Sequence, residues 1–303
     1  MFDVKNRKKN KIRESASRRV FLVVNDIVFA LILFVCLYPL WYVLIQSLSE
    51  GDKAVNAIVL PVDLTLGNYV SVMQRPDILA AFGISVIRTV TGTCGTVLCC
   101  MLLGYLFSKE EMPYRKVLYR MLIITGYVAG GMIPTYLIFR YYGLLNNFLV
   151  YILPSLVSSY YVILIKTFVE QMPPEVEESA MIDGAGPFNI FIRIILPLSL
   201  PIAATIAIYA SVHHWNSWFD NQLYTVTNQN LTTLQFLLYG YLNKTEAMLE
   251  AIERGDVSDN SILMTPRGLK MTITMVTVIP ILCVYPFMQR FLIKGIMIGA
   301  VKG

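Results

Sequence analysis

Charged side chains are scarce in this chain. They make up 15% of its 303 residues, against about 25% in an ordinary soluble domain, while 56% of the residues are apolar and the mean hydropathy is +0.59. That balance excludes a typical soluble globular protein and indicates an integral membrane protein. Cysteine is equally uninformative as chemistry. Cys36, Cys94, Cys99, Cys100 and Cys283 all lie in apolar runs and form no CxxC pair, so they read as small packing residues with no metal or disulfide implied. The phosphate-cradling pattern GxxxxGK followed by Ser or Thr is absent, which excludes a nucleotide site of that kind in this chain. Away from their first and last turns, the apolar runs also lack Asp, Glu, Lys and Arg, apart from Asp26 and Arg88, both expected to snorkel to an interface. Ion-coupled and proton-coupled transporters usually carry such groups at mid-membrane, so any driving energy is expected to come from elsewhere.

What charge there is sits unevenly. Residues 1–19 hold Lys5, Arg7, Lys8, Lys9, Lys11, Arg13, Arg18 and Arg19 against Asp3 and Glu14, a charge of +6 in a chain whose total is +5. A basic arm can bind nucleic acid. Here it runs straight into the apolar stretch Val20 to Leu48, which favours a topology determinant and no nucleic-acid partner. That stretch is too long for a signal-peptide core and no A-x-A site follows it, so it is expected to remain as a first spanning helix.

Six apolar segments approach the roughly 20 residues that a spanning helix needs: Val20 to Leu48, Phe82 to Phe107, Val117 to Phe139, Phe148 to Val169, Ile194 to Trp218 and Met271 to Leu292. With the N-terminus in the cytoplasm, seventeen Lys and Arg fall on the inside and seven on the outside (Lys53, Arg75, Arg140, Lys244, Arg254, Arg267 and Lys270). The positive-inside rule therefore predicts six spans with both termini cytoplasmic, as an all-α, multi-pass membrane protein. The expected division is a basic segment at 1–19, a six-helix domain at 20–293 with a cytoplasmic loop at 170–193, and a tail at 294–303. Two outer loops are prominent, Ser49 to Ala81 and Phe219 to Lys270, and the second carries an amphipathic stretch near Leu231 to Leu242.

The loop between the fourth and fifth spans is the most patterned part of the chain. Pro173-Pro174 stops the preceding helix and suits the start of a new one, with Glu175, Glu177 and Glu178 in its first turn, where carboxylates offset the helix dipole. Gly184 and Gly186 allow a turn, and Pro187 can open a second helix. Phe188, Phe191, Ile192 and Ile195 then recur at helical spacing, which predicts one apolar face. An interfacial amphipathic hairpin with no partner would look similar.

The spacing is more specific than that. Glu178-Ser179-Ala180, three residues, Gly184, nine residues, Ile194, one residue and Leu196-Pro197 reproduce EAA-x3-G-x9-I-x-LP with one change, Ser179 for the second alanine. This resembles the membrane subunits of ATP-binding-cassette (ABC) importers. Within them it resembles carbohydrate permeases of the MalG type and the LplC/YtcP-like group that accompanies uptake of polysaccharide-derived oligosaccharides. The ending Phe291 to Gly303, FLIKGIMIGAVKG, is similar to the KGxxxGxVKG end of that group. The resemblance implies a type I importer permease that is not itself an enzyme and holds no cofactor. ATP and Mg would be bound by a dimeric cytoplasmic ATPase. A second, homologous permease would complete the pathway, and an extracytoplasmic solute-binding protein would deliver an oligosaccharide. It implies that Glu178, Ser179, Ala180, Asp183, Gly184 and Ala185 couple to the ATPase, with Lys294, Gly295 and Gly299 of the tail approaching it.

Other residues carry weaker signals. His213, His214, Trp215, Asn216, Trp218, Phe219 and Asp220 cluster near the outer end of the fifth span, where aromatic faces could stack on sugar rings and polar tips could bind hydroxyls. Tyr209, His213, Trp215, Asn216 and Trp218 are accordingly the candidate substrate path, with an interfacial aromatic belt as the plainer alternative. Adjacent histidines diverge on a helix and no third ligand lies at a useful spacing, so no metal is expected. The tyrosines of the middle spans read mainly as packing or belt residues. Pro134, Pro154, Pro201, Pro280 and Pro286 are candidate kinks. A permease for another solute, a secondary transporter, or a membrane enzyme built on His213, His214 and Asp220 are the competing classes.

Overall fold

Helix formation follows the apolar runs until glycine or proline interrupts them. The computed structural model describes residues 15–49, 57–253 and 266–300. The first helix, α1 (Ala16–Ser47), is capped by Ser15, whose hydroxyl accepts from the amide of Arg18, and continues through Pro39. A short α2 (Gly67–Met73) leads into α3 (Pro76–Ser108), which starts with proline at its first position and Asp77 in its first turn. Then follow α4 (Arg115–Tyr127), α5 (Met132–Tyr141), two 3-10 turns at Phe148–Tyr151 and Leu153–Ser155, and α6 (Ser159–Val169). The patterned loop forms α7 (Glu175–Ile182) and α8 (Pro187–Ile190), a π turn at Phe191–Ile195 and the short α9 (Leu196–Leu198). The chain ends with α10 (Leu200–Asn216), α11 (Phe219–Tyr224), α12 (Leu234–Glu253) and α13 (Pro266–Ala300). Among the described residues the only β pairing is one bridge between Ser49 and Leu64.

Three helical stretches are long and apolar enough to cross a bilayer alone, at 17–47, 76–108 and 268–286, and three bent pairs reach that test only together. The expected third, fourth and fifth spans each coincide with one of these bent pairs, beside the candidate kinks Pro134, Pro154 and Pro201. The third bends by 120° between α4 and α5, where Gly130 and Gly131 precede Pro134 and Gly131 takes φ +85°. The fourth bends by 45° between the 3-10 turns, which contain Pro154, and α6. The fifth bends by 78° at Ser199, with Pro201 just inside α10. Proline lacks the amide that would continue the ladder, so each break falls where sequence weakens it. Pro280 and Pro286 instead lie inside the continuous helix α13.

Helix α3 is the central post, packing on α10 and α6, while α1 touches mainly α13. Toward the α7–α8 hairpin, Cys100, Met101, Tyr105 and Phe107 of α3 close a core with Val162, Ile165, Val169, Ile190, Phe191, Ile195 and Ile206. At the other end, Val72, Ile78, Trp215, Leu234, Leu238, Ile273 and Val276 form a second core. Much of α1 and the outer faces of α3 to α5 leave large apolar side chains uncovered, as expected of surfaces that meet lipid or another membrane subunit.

Candidate functional site

The hairpin is seated by packing on one side and by charge pairs around it. Ala180, only 8% exposed, and Ala185 pack against the α3–α6–α10 core, and a larger side chain at 180 would have to displace that core. Lys109, just past the end of α3, pairs with Glu177 and lies 4.7 Å over the Tyr105 ring. Glu170 receives both Arg115 Nη2 at 2.9 Å and Lys166 Nζ at 2.7 Å. Arg115 Nε also donates to the Phe107 carbonyl at 2.7 Å, which ties the 109–115 loop to the end of α3.

The turn closes in a specific way. The amide of Ala185 donates to the Ala180 carbonyl, and that of Gly184 donates to the Met181 carbonyl, each at 3.0 Å. With Gly184 at φ +80° this is a Schellman cap, so glycine is required by backbone conformation. A Cβ at 184 would meet no atom of this chain.

The hairpin thus sorts the six residues of the sequence motif. Glu178, Ser179, Asp183 and Gly184 face outward, whereas Ala180 and Ala185 turn inward and hold the hairpin in place. Two residues in the three-residue gap of the motif also face outward, Met181 at 51% and Ile182 at 85% exposure. Two adjacent apolar side chains on the face opposite Ala180 were the signal available in sequence. The expected apolar face of the second helix is corrected as well: Phe188 and Ile192 are exposed, and Ile190, Phe191 and Ile195 are buried. The π turn at Phe191–Ile195 explains the change of phase, and it stands before Pro197, which has no amide to donate to the Arg193 carbonyl.

At the far end of the bundle, the candidate path residues separate. Tyr209, His213 and Asn216 recur at i, i+4 and i+7 on α10 and share one exposed stripe. Tyr161 of α6 stacks on Tyr209 with ring centroids 6.4 Å apart, and Gln235 Nε2 donates to Asn216 Oδ1 at 3.0 Å. Trp215 is not on that stripe: it is 8% exposed, donates to the Thr277 carbonyl at 3.1 Å and meets the edge of Phe82. Trp218 stacks on Tyr239 of α12 with ring centroids 4.1 Å apart. His214 is buried against α3, where only a glycine at 92 leaves room for its ring. Between α3, α10 and α13 lies an open groove of about 250 Å³ with almost wholly apolar walls, including Val86, Ile208 and Val284, unsuited to a sugar. Among the described residues no three His, Cys, Asp or Glu side chains converge.

Arg88 departs from expectation. It does not snorkel but is 1% exposed inside α3, paired with Asp220. The spans therefore do hold a buried charge, and its absence no longer argues against ion coupling. Lys294, Gly295 and Gly299 fall on the last turns of α13, but their side-chain surroundings, with residues 1–14 and 301–303, lie outside the described residues.

No family model matches the sequence. The chain is 33% identical over 287 residues to protein LplC of Bacillus subtilis, covering 94% of this chain and 96% of the relative. It is also 33% identical over 281 residues to the polygalacturonan/rhamnogalacturonan transport system permease protein YtcP of the same organism, covering 91% and 95%. A chain of a bacterial ABC transporter that imports the acidic polysaccharide alginate superposes with a TM-score of 0.82 at 24% identity, covering 91% of this chain and 98% of that one, and so shares the fold. Similarity of this extent to LplC and YtcP, with the motif-bearing hairpin in place, makes the chain a member of the carbohydrate-uptake permeases of ABC importers.

Proposed function

We propose that this permease subunit imports oligosaccharides released from an acidic polysaccharide, and that ATP-derived work enters it at the outward tip of the α7–α8 hairpin. The observation that carries the reading is the two-sided hairpin. Ala180 and Ala185 are fixed to the core below α3 and α10, while Glu178, Met181, Ile182 and Asp183 are left uncovered at the tip. A rigid connection on one face and an unsatisfied apolar and acidic face on the other suit a lever that seats in a cleft of an ATPase subunit.

In this reading the hairpin end is cytoplasmic, each bent pair is one span, and six spans place both termini inside. Residues 1–19 form the basic lead-in, 20–293 the membrane domain and 294–303 the tail near the ATPase. The remaining partners are a second homologous permease and an extracytoplasmic solute-binding protein, while ATP and Mg belong to the ATPase. Movement of the hairpin is transmitted through the α3–α6–α10 core, and the bends at 128–131, 156–158 and Ser199 are where the spans can flex.

The stripe of Tyr209, His213 and Asn216, with Tyr161 stacked beside it, is the proposed sugar path. Polar-tipped aromatics offer ring faces to sugar carbons and hydrogen bonds to hydroxyls, whereas facing lipid would deprive the exposed His213 ring of water. The acidic substrate class is suggested by the names of YtcP and of the alginate importer.

Co-purification tests the assembly. A stoichiometric ATPase with vanadate-sensitive hydrolysis is expected, and ion-driven uptake without any ATPase would reject it in favour of a secondary transporter. Binding of oligogalacturonides by the cognate solute-binding protein is expected for the substrate, and selective binding of a non-sugar solute would overturn that part.

A further inference from the structure

The hairpin does not use Arg88, whose side chain lies in α3 close to the end of α10. Its Nη1 donates to the Ser217 carbonyl at 3.2 Å and to Asp220 Oδ1 at 3.1 Å, and its Nη2 pairs with Asp220 Oδ2. The two-pronged carboxylate contact uses the flat guanidinium fork that lysine lacks. The guanidinium carbon stands 4.4 Å from the centre of the Tyr151 ring. Tyr151 in turn donates from its hydroxyl to the Leu231 carbonyl at 2.8 Å and shares a hydrogen bond with Thr225. One turn before Arg88 on the same helix, Ser85 Oγ accepts from the Leu234 amide at 2.8 Å. The segment from 217 to 234 is therefore tied to α3 at both ends. Asn221 ties it across itself, donating to Thr225 and accepting from the Thr233 amide at 2.7 Å. One turn after Arg88, Gly92 gives the His214 ring its place.

Two successive turns of α3 are thus shaped to receive the last turn of α10. That turn holds His213 and Asn216, and the carbonyl that Arg88 grips belongs to the next residue. We propose that Arg88, acting through Asp220 and Ser217, is a positioning residue for substrate passage that fixes the outer end of α10 so that His213 and Asn216 stand along the path. The proposal rests on the sugar-path reading above. A pair that merely stapled the fold could be exchanged for apolar side chains of similar size without functional consequence, because such exchanges are often neutral for stability. A positioning pair could not, since no apolar contact directs the Ser217 carbonyl.

The test uses the complete importer in proteoliposomes, with oligogalacturonides from digested pectin as the probe. ATP hydrolysis and uptake are measured together for the wild type, R88M/D220L and R88K. The double variant is expected to keep assembly and binding-protein-stimulated hydrolysis while uptake falls about tenfold, the change corresponding to about 1.4 kcal/mol. ATP consumed per sugar rises accordingly, and R88K, which keeps charge but not the fork, falls between. An assembled double variant with the wild-type ratio overturns the proposal. If that variant does not assemble, R88K decides: a raised ratio supports the proposal and a wild-type ratio overturns it. Wild-type importer that hydrolyses ATP but takes up no oligogalacturonide would show instead that the substrate reading is at fault, and repeating the ratio with the sugar bound by the solute-binding protein then tests Arg88 alone.

Discussion

The two ends of this bundle handle charge in opposite ways. At the hairpin end, Lys109, Arg115, Lys166, Glu170 and Glu177 form pairs that all keep some contact with solvent. At the other end a single arginine is enclosed in α3, its side chain 2% exposed, and reaches one carboxylate that is 24% exposed. Partly solvated pairs are forgiving, since each charge can return to water. Arg88 has no such recourse, and a guanidinium cannot shed its proton. The charges of the hairpin end are accordingly spread over several small contacts, whereas the far end, among its neutral hydrogen bonds, encloses one charge pair that cannot lose a single partner cheaply.

That contrast can be broken by substitution. The largest effect is expected for Asp220→Ala, which leaves Arg88 charged and enclosed, at a cost of about 3–5 kcal/mol. A steep fall in thermal stability in detergent would be seen, and a loss no larger than that of Lys109→Ala would erase the contrast. Gly92→Val comes next. Its side chain would overlap the His214 ring, and overpacking of this kind costs about 1–3 kcal/mol by the same thermal assay. Gly184→Ala has room for its methyl but must hold φ +80°, a strain of about 1–2 kcal/mol confined to the hairpin. It should leave global stability near wild type while lowering the ATPase-to-transport coupling, with Gly184→Asn milder because asparagine tolerates that conformation. Lys109→Ala is expected to be smallest, about 1 kcal/mol or less, and sensitive to salt.

Much of the hairpin was legible in the sequence because its signals are local. Prolines at 173, 174 and 187 and glycine at 184 set the boundaries within a few residues of where α7, the turn and α8 occur. The phase of the second helix was not legible, since helical periodicity assumes a uniform winding that the π turn before Pro197 does not follow. That stretches long and apolar enough to cross a bilayer exist was readable from hydropathy, and Pro134 marked a candidate kink, but the angle of 120° between α4 and α5 was not readable, because composition measures length and apolarity and not direction. The role of Arg88 was hidden for another reason. Its partner lies 132 residues further along, and no local pattern links Arg88 to Asp220.

The candidate path shows the same limit. Five residues near the end of the fifth span carry the same chemistry in one dimension, yet only Tyr209, His213 and Asn216 share the uncovered stripe. Trp215 and Trp218 are committed to Thr277 and Tyr239. Proximity in sequence could collect them, but only the helical turn could divide them.

In the proposed coupling, the hairpin presents Ile182 to the ATPase while Ala180 holds the hairpin to the membrane domain. Site-directed cross-linking tests it most directly, with single cysteines placed at 182 or 180 in a background lacking the exposed Cys36, Cys94 and Cys283. Ile182→Cys is expected to cross-link to the co-purified ATPase, and Ala180→Cys is expected not to. Equal cross-linking from both positions, or none from 182 in an actively hydrolysing complex, would contradict it.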